Sequence, residues 1–329
     1  MLSIAKQYLI GIDGGGTKTR CVIGDIEGHI ISHKVSTSGN INAIPLAQLH
    51  DMLKNLIENT LSHTNIPLDD VLQIFICLAG ADRVYEREKI YQSFAGSELF
   101  NKIIVQSDAH AALAAGTWGN SGTLLIAGTG SIVYGWNGEH TFRVGGWGYL
   151  LGDEGSGFHL GKMAIRSILE SYDAKLPMRP FQQNILTHFH VQHPPDIISK
   201  IYSNQAPVSY IASICNEVLL AFELGDEVAD EMVQLAQNEL IRLIRLAQGQ
   251  MDMEKPLVLH GGLFTVSAFY EAFCKQLKQH FPSLNFTKPE VTGEVGAYIL
   301  ALHAYQIFID DVIKENILTS WENVKGGLI

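Results

Sequence analysis

Residues 8–19 read YLIGIDGGGTKT. In this stretch a short apolar run ends at three glycines, and a second strand pattern begins directly after them and continues to Asp25. After a turn at 27–28, a third strand pattern covers His29 to Ser36. Such short connections predict an antiparallel meander. The P-loop and the Rossmann fingerprint both require a helix after their glycines, so this stretch matches neither of those nucleotide-binding patterns.

Helical and strand patterns alternate after the meander. Apolar residues recur at helical spacing between residues 43 and 64, and a buried strand pattern follows at 71–78. The next patterns are a helix at 84–94, a strand at 102–107 and an Ala-rich helix at 108–118. The predicted order is therefore β-β-β-α-β-α-β-α, which is an α/β domain.

The pattern begins again at residue 122. The segment GTLLIA (122–127) is a strand pattern that ends at Gly128-Thr129-Gly130-Ser131, and strand patterns follow at 132–136 and 140–144. The glycine turns of the two meanders lie about 115 residues apart, which indicates a duplicated domain. The remaining patterns are helices at 226–250 and 294–309, strands at 256–260 and 284–288, and an insertion or irregular connection at 181–207.

Length and composition agree with two domains. The chain has 329 residues, of which 47% are hydrophobic and 17% are charged, as is typical of a compact globular protein. We predict a first domain at 1–120 and a second at 121–309, with the tail at 310–329 packing on the first.

Charge and hydropathy limit the partners. The net charge is −11 and no basic stripe is present, so we expect no nucleic acid partner. No apolar run reaches the length of about 18 residues that a membrane span needs. The first strand pattern starts at Tyr8, which leaves no room for a secretory signal peptide, and the four cysteines lack metal-site spacing. We therefore expect reduced thiols and a cytoplasmic protein.

The first glycine turn has the composition of a phosphate-binding loop. Gly14, Gly15 and Gly16 allow positive φ angles, with which successive N–H groups can face an oxygen-rich ligand. Asp13 could hold a hydrated Mg²⁺, while Thr17-Lys18 supply a hydroxyl group and a cation. A plain glycine-rich hairpin is the alternative for this turn taken alone.

Two further turns extend this chemistry. Gly128-Thr129-Gly130 repeats the first turn in the second half, and a repeated phosphate-type hairpin is more specific than a single one. Gly261-Gly262 follow a buried strand pattern, and their small size would let an adenine and a ribose lie against the backbone. An ordinary strand-to-helix turn is the alternative at that position.

These three turns, in this order, resemble those of the sugar kinase, heat-shock-70 and actin superfamily. The resemblance is most specific at residues 144–157, VGGWGYLLGDEGSG, which are similar to the GGWG-xxxGDEGS segment of N-acetylglucosamine kinases. Those kinases share a family with the activator ATPases of certain acyl-CoA reductases and dehydratases. The resemblance covers roughly residues 8–302. It implies two ribonuclease-H-like (actin-like ATPase) domains flanking a nucleotide cleft, with ATP and Mg²⁺ as cofactors, a small sugar as substrate and a homodimer.

The resemblance also assigns residues to the reaction. It implies that Asp108 is the catalytic base, and a carboxylate between a strand and a helix could accept the proton of a substrate hydroxyl group. A helix N-cap is the common alternative role for such an aspartate. For the sugar, the resemblance implies contacts from the following residues: Asn40, Gly80, Trp147, Gly148 and Asp153. Trp147 could instead be a core residue, and Asp153 a turn acid.

One departure leaves the substrate open. An Asn follows the second glycine turn in the animal-type enzymes, whereas this chain has Ile132. Glucosamine, N-acetylmuramic acid or another hexose is therefore an alternative to N-acetylglucosamine. An activator ATPase coupled to electron transfer would need cysteines for an iron–sulfur cluster, and a sugar-sensing regulator would need a basic helix-turn-helix. The sequence favours the kinase over both.

Overall fold

The computed structural model describes residues 6–326, which form two units. One unit contains the described residues up to Ser121 and from Pro289 onward, and the other contains Gly122–Lys288. Each unit has its own five-stranded sheet with helices, so the α/β class predicted from the sequence is confirmed.

The first sheet begins with the predicted meander. Its strands are β1 (Tyr8–Gly14), β2 (Thr19–Asp25), β3 (Ile30–Ser36), β4 (Val71–Leu78) and β5 (Ile103–Ser107). Their order is β3-β2-β1-β4-β5, with β1, β2 and β3 antiparallel and β1, β4 and β5 parallel. The connections before and after β4 contain helices, because parallel neighbouring strands need a crossover connection. The carboxyl ends of β1, β4 and β5 therefore lie at one edge of the sheet.

Two helices of the first unit lie between these strands along the chain, and a third follows β5. They are α1 (Leu46–Thr64), α2 (Val84–Ser93) and α3 (Asp108–Thr117). Helix α1 buries Leu49, Leu53 and Ile57 against one face of the sheet. Helix α3 is Ala-rich and almost entirely buried within the cluster on the other face. The sheet is therefore covered on both faces, which explains why β4 is apolar along most of its length.

The second unit repeats the meander. Its strands are β6 (Gly122–Ala127), β7 (Ser131–Trp136), β8 (Thr141–Gly145), β9 (Leu257–His260) and β10 (Phe286–Thr287), in the order β10-β9-β6-β7-β8. The first three are antiparallel, and β9 and β10 are parallel to β6. The same three-plus-two arrangement in both sheets agrees with the duplication that the sequence indicated.

Seven helices accompany the second sheet. They are α4 (Gly157–Asp173), α5 (Pro180–His188), α6 (Asp196–Tyr202), α7 (Pro207–Ser213), α8 (Cys215–Glu223), α9 (Glu227–Ala247) and α10 (Ser267–His280). The prediction of an irregular connection at 181–207 was therefore wrong, because α5 and α6 lie within it. Phe181, Ile185 and Phe189 recur every fourth residue and are buried, which anchors α5 to the core.

The last two helices belong to the first unit. Helix α11 (Gly293–Ala304) packs against β1 and α3, although the sequence-based boundary had kept residues up to 309 in the second domain. The contact is close: a Cβ atom at Gly11 would lie 2.2 Å from the Tyr298 backbone nitrogen, and one at Gly296 would lie 2.1 Å from the Ala111 carbonyl oxygen. Gly11 and Gly296 therefore let α11 form the centre of the first unit.

Helix α12 (Asp311–Lys325) also packs on the first sheet. The Ile30 N–H group donates a hydrogen bond to the Ser320 hydroxyl oxygen at 2.8 Å, and the Trp321 ring meets the His33 ring edge-on, with 5.2 Å between centroids. Among the described helices, none is long and apolar enough by itself to cross a membrane. One pair, Pro207–Glu223 with Glu227–Ala247, meets the length and composition test only together, and with a bend of 118°.

Candidate active site

The first glycine turn joins β1 to β2 and is open to solvent at its tip. Gly16, Thr17 and Lys18 are exposed, and the Gly15 N–H group donates to the Lys18 carbonyl oxygen at 2.9 Å. The prediction that these glycines adopt positive φ angles was wrong, since none of them lies in the left-handed region. Gly14 is needed for space instead, because a Cβ atom there would lie 2.4 Å from the Leu78 side chain.

Two other loops are hydrogen-bonded to this turn. The Gly39 N–H group donates to the Gly15 carbonyl oxygen at 3.1 Å, and the Ala79 N–H group donates to the Gly14 carbonyl oxygen at 2.7 Å. These bonds hold the loops that carry the predicted sugar contacts beside the predicted phosphate turn.

Asn40 and Gly80, on these two loops, are close neighbours. A Cβ atom at Gly80 would lie 3.1 Å from the Asn40 side-chain oxygen and 2.5 Å from the Asn42 side-chain nitrogen. Gly80 has a φ angle of 83°, so both its conformation and its surroundings require glycine. The Asn40 side-chain oxygen also accepts a hydrogen bond from the Asn42 N–H group at 2.9 Å, which fixes its orientation.

Asp13 is half-buried at the carboxyl end of β1, in an acidic environment. Burial raises the pKa of its carboxyl group to about 7, and the nearby carboxylates of Asp108 and Glu294 contribute to the rise. Its side chain packs directly on α11, because a Cβ atom at Gly293 would lie 2.4 Å from the Asp13 Oδ2 atom. A buried carboxyl group with acidic neighbours is a site that a cation would stabilise.

Asp108 is the first residue of α3 and follows β5 directly. Burial raises the pKa of its carboxyl group to about 6, and the charge of Asp82 adds to this effect. The Ala109 N–H group donates to the Asp108 Oδ1 atom at 2.9 Å, which opposes the rise. The N-cap of α3 is Ser107, so the N-cap alternative for Asp108 was wrong, and the Asp108 side chain contacts the N–H group of the residue that follows it. Asp108 is a half-buried acid with a perturbed pKa.

A third acid, Glu294, is fully buried and was missed by sequence reasoning. The Glu294 Oε1 atom lies 3.4 Å from the His33 Nε2 atom, and both side chains are buried. Among residues 6–326, neither Glu294 Oε2 nor His33 Nδ1 has a hydrogen-bond partner. The sequence did carry a signal, because Glu294 is the one charged residue in the apolar run GEVGAYILAL at 293–302.

The second glycine turn, between β6 and β7, is bound to the segment that precedes and begins α4. The Gly157 N–H group donates to the Gly128 carbonyl oxygen at 2.7 Å, and the Phe158 N–H group donates to the Thr129 carbonyl oxygen at 3.2 Å. In addition, the Ser131 hydroxyl group donates to the Glu154 carbonyl oxygen at 2.7 Å. The GTGS turn and the GDEGS segment are therefore held together by hydrogen bonds.

Asp153 lies where these two motifs meet. Its Oδ1 atom accepts a hydrogen bond from the Ser131 N–H group at 3.3 Å, and its Oδ2 atom would lie 2.9 Å from a Cβ atom at Gly130. Burial raises the pKa of the Asp153 carboxyl group. Gly130 is therefore required by the close approach of this carboxylate, and Asp153 is more than a surface turn acid.

Trp147 and Gly148 lie on the loop between β8 and α4. The Trp147 side chain is 64% exposed, so the alternative that it is a core residue was wrong. Gly148 follows with a φ angle of 85° and has open space around it. Ile132, which departs from the animal-type pattern, packs at the base of this loop, 2.7 Å from where a Cβ atom of Gly146 would be.

The third turn begins where β9 ends. Gly261 has a φ angle of 110°, and a Cβ atom there would lie 2.4 Å from the Ala127 carbonyl oxygen. Gly262 starts a single turn of 3₁₀ helix that leads to α10, and its nitrogen would lie 4.0 Å from a Cβ atom at Gly128. The second and third turns are therefore neighbours in the second unit.

A cavity of about 490 Å³ opens beside these two turns. Its walls include Gly128-Thr129 and Gly262, together with Ser213, Cys215 and Asn216 at the junction of α7 and α8. Sequence reasoning missed this last wall, because the family resemblance is weak between residues 181 and 250. The cavity combines backbone groups with hydroxyl, thiol and amide side chains, a mixture that suits a polar ring system.

Comparisons with known proteins agree with this arrangement. Residues 10–301 match the BadF/BadG/BcrA/BcrD ATPase family. The chain is 32% identical to an N-acetylmuramic acid/N-acetylglucosamine kinase of Clostridium acetobutylicum, over 90% of this chain and 98% of the relative. It is 29% identical to an N-acetyl-D-glucosamine kinase of Dictyostelium discoideum, over 92% of this chain and 99% of that one.

A solved structure shows the same fold. A candidate N-acetylglucosamine kinase from Chromobacterium violaceum superposes with a TM-score of 0.74 at 23% identity, covering 91% of this chain and 99% of the other. The actin-like ATPase fold and the family resemblance that the sequence predicted are both confirmed. This chain belongs to the BadF/BadG/BcrA/BcrD ATPase family.

Proposed function

We propose that this chain is an ATP-dependent kinase that transfers a phosphoryl group to an amino sugar, with N-acetylglucosamine as the substrate and its 6-hydroxyl group as the acceptor. The observation that carries the proposal is Asp108, a half-buried carboxylate at the junction of β5 and α3 with a pKa of about 6. The names of the similar proteins supply the substrate class.

Asp108 would act as the general base. Its carboxylate accepts the proton of the sugar hydroxyl group while the hydroxyl oxygen forms a bond to the γ-phosphorus of ATP and the bond to the ADP oxygen breaks. With a pKa of about 6, the carboxylate is mostly ionised at neutral pH and is a stronger base than an ordinary aspartate. General-base assistance of this kind contributes about 10²- to 10⁴-fold in rate.

Asp13 would hold Mg²⁺ through its hydration shell. The donor set fits this ion, because Mg²⁺ prefers carboxylate oxygens and keeps several waters. The pKa of Asp13, raised to about 7 by burial and by two neighbouring acids, indicates a negative region whose charge the nearby Arg20 offsets only in part. The ion would neutralise charge on the phosphates. The exposed residues Gly16, Thr17 and Lys18 would bind phosphate oxygens beside it.

The cavity of the second unit would take the adenosine part of ATP. Asn216 and Ser213 can hydrogen-bond an adenine edge or a ribose hydroxyl group, while Gly261 and Gly262 let the ligand approach the backbone. The turn Gly128-Thr129-Gly130 would offer N–H groups to phosphate oxygens.

The sugar would be recognised by Asp153 and by an aromatic surface. A half-buried carboxylate can accept hydrogen bonds from two adjacent sugar hydroxyl groups, and the exposed Trp147 ring can pack on the apolar face of a pyranose. Asn40, Gly80 and Gly148 complete the proposed contacts. N-acetylmuramic acid is the second candidate substrate, because the Clostridium relative carries both sugars in its name. Self-association as a homodimer stays a prediction.

The test is ADP release with Mg²⁺-ATP and a panel of amino sugars. N-acetylglucosamine, N-acetylmuramic acid, glucosamine, N-acetylmannosamine and glucose would be compared in the wild type, in Asp108→Asn and in Asp69→Asn. We expect turnover with one or two N-acetylated sugars, lost in Asp108→Asn and retained in Asp69→Asn, whose side chain is exposed. Absence of sugar-dependent turnover from a protein that still binds ATP would overturn the proposal.

A further inference from the structure

One side chain of β8, Arg143, contacts the last residue of its own strand and the two residues that follow it. The Arg143 Nη2 atom donates to the Gly145 carbonyl oxygen at 3.2 Å and to the Gly146 carbonyl oxygen at 2.5 Å. The same guanidinium group lies over the Trp147 ring, 5.1 Å from its centroid. Arg143 thus contacts both the backbone at the base of the loop and the aromatic side chain that the loop presents.

The base of this loop is closely packed. Gly145 and Gly146 have φ angles of 77° and 66°, which favour glycine. A Cβ atom at Gly145 would lie 2.8 Å from the Leu243 side chain, and one at Gly146 would lie 2.7 Å from the Ile132 side chain. The backbone to which Arg143 is bonded is therefore fixed.

The rest of the loop is open to solvent. Exposed fractions rise to 64% at Trp147, 78% at Leu150 and 81% at Leu151. An exposed indole ring loses conformational freedom when it binds a ligand, and that loss weakens binding. The contact with a guanidinium group anchored on two carbonyl oxygens restricts the Trp147 ring before any ligand arrives.

We propose that Arg143 is a positioning residue for the sugar: it holds the Trp147 ring in the orientation in which the ring's free face packs on a pyranose. The inference rests on the proposed sugar kinase function. Arginine is the suitable residue, because its planar guanidinium group can donate to two carbonyl oxygens and stack on an aromatic ring at the same time. A lysine at this position keeps the charge but cannot make all three contacts.

The first test measures kinetics in a double-mutant cycle of Arg143→Lys and Trp147→Ala. Arg143→Lys is expected to raise the KM for the sugar about 3- to 20-fold, with kcat and the KM for ATP changed less than about twofold. In the Trp147→Ala background the same substitution is expected to have no further effect, because Arg143 acts through the ring. Additive effects in the cycle, or an unchanged KM for the sugar in Arg143→Lys, would overturn the proposal.

The second test needs no substrate. The protein is labelled with 5-fluorotryptophan, and its Trp147 resonance in the ¹⁹F spectrum is identified by its loss in Trp147→Phe. Arg143→Lys is expected to narrow and shift this resonance, because the ring becomes mobile, while the Trp118 and Trp321 resonances of the first unit stay in place. An unchanged Trp147 resonance would contradict the inference.

The controls separate folding and function from positioning. Arg166→Lys changes an exposed arginine of the same unit that pairs with Glu170 at 3.5 Å, and it is expected to leave the sugar KM and the Trp147 resonance unchanged. Arg143→Met serves as a second variant if Arg143→Lys lowers the melting temperature. If no sugar is phosphorylated by the wild type, the proposed function fails, while the ¹⁹F spectra still decide whether Arg143 holds the ring.

Discussion

The two units have the same strand arrangement but differ at the residue that precedes the glycine turn between their first two strands. In the first unit this residue is Asp13, a half-buried acid near two other acids, and in the second it is Ala127, packed against Gly261. The first unit thus has a group of carboxylates at the end of its sheet, and the second has a polar cavity and an exposed aromatic loop. The two sheets thus have the same strand arrangement, and single side chains give each unit a different chemical character.

The largest expected effect is on the acids of the first unit. Asp108→Asn removes the base but keeps the size of the side chain, so kcat is expected to fall about 10²- to 10⁴-fold while both KM values change only a few-fold. Steady-state kinetics with varied ATP and sugar would measure this. A loss of less than about tenfold would show that the first unit does not carry the proton transfer.

The pH dependence of kcat/KM tests the proposed role of Asp108 as the general base. Because Asp108 must be ionised to act and its pKa is raised to about 6, kcat/KM is expected to be level above this pH and to fall about tenfold per unit below it. An aspartate with an ordinary pKa would place this fall near 3.8 instead. The rate should be followed with a buffer series at constant ionic strength and with saturating Mg²⁺.

The contribution of Asp13 to the free energy of unfolding is expected to fall as the pH rises, whereas kcat/KM is expected to rise. The folded-state pKa of Asp13 is raised from 3.8 to about 7, so its contribution favours folding below the unfolded value and is lost as the pH rises through the folded value. Without metal, Asp13→Asn should therefore stabilise the protein more at about pH 8 than at about pH 5. Urea unfolding of both proteins at the two pH values would measure the difference, and equal gains would contradict the raised pKa.

The cavity of the second unit provides the contrasting experiment. Asn216→Ala is expected to raise the KM for ATP about 3- to 10-fold and to leave the sugar KM unchanged, because one or two hydrogen bonds to the nucleotide are lost. The control is Glu217→Gln, the next residue of α8, which lines a different cavity. An equal rise in both KM values would contradict the proposal that this cavity binds the nucleotide and not the sugar.

The smallest expected effect separates two explanations for the glycines of the first turn. Gly14→Ala places a Cβ atom 2.4 Å from the Leu78 side chain and is expected to lower the free energy of unfolding by about 1–3 kcal/mol. Gly16→Ala meets no atom within 4 Å and is expected to change it by less than about 0.5 kcal/mol. Similar losses at both positions would favour a backbone requirement over packing.

The sequence predicted the strands and most of the site because the relevant signals are local. Short connections and alternating apolar runs defined both meanders, and the GDEGS segment pointed to Asp153. The structure brings Asp153 against Gly130, and the GDEGS segment against the same turn.

What the sequence could not supply depends on contacts distant along the chain. The reason for Gly14 is a side chain at Leu78, and the partner of His33 is Glu294, on a helix near the other end of the chain. Proline-rich composition hid α5, although Pro180 stands in its first turn, where proline is tolerated. The assignment of α11 to the wrong domain has the same origin. The almost entirely apolar sequence of this helix indicates that it is buried, but it does not indicate against which sheet.

The position of α11 has a consequence for the order in which the protein matures on the ribosome. All residues of the second unit are synthesised before Gly293 emerges, whereas the first unit lacks its central helix until then. Domains fold as units during synthesis, usually with the N-terminal one first. Here the second unit can be complete earlier, and the carboxylates of Asp13 and Asp108 acquire their surroundings in the folded unit only after α11 has emerged.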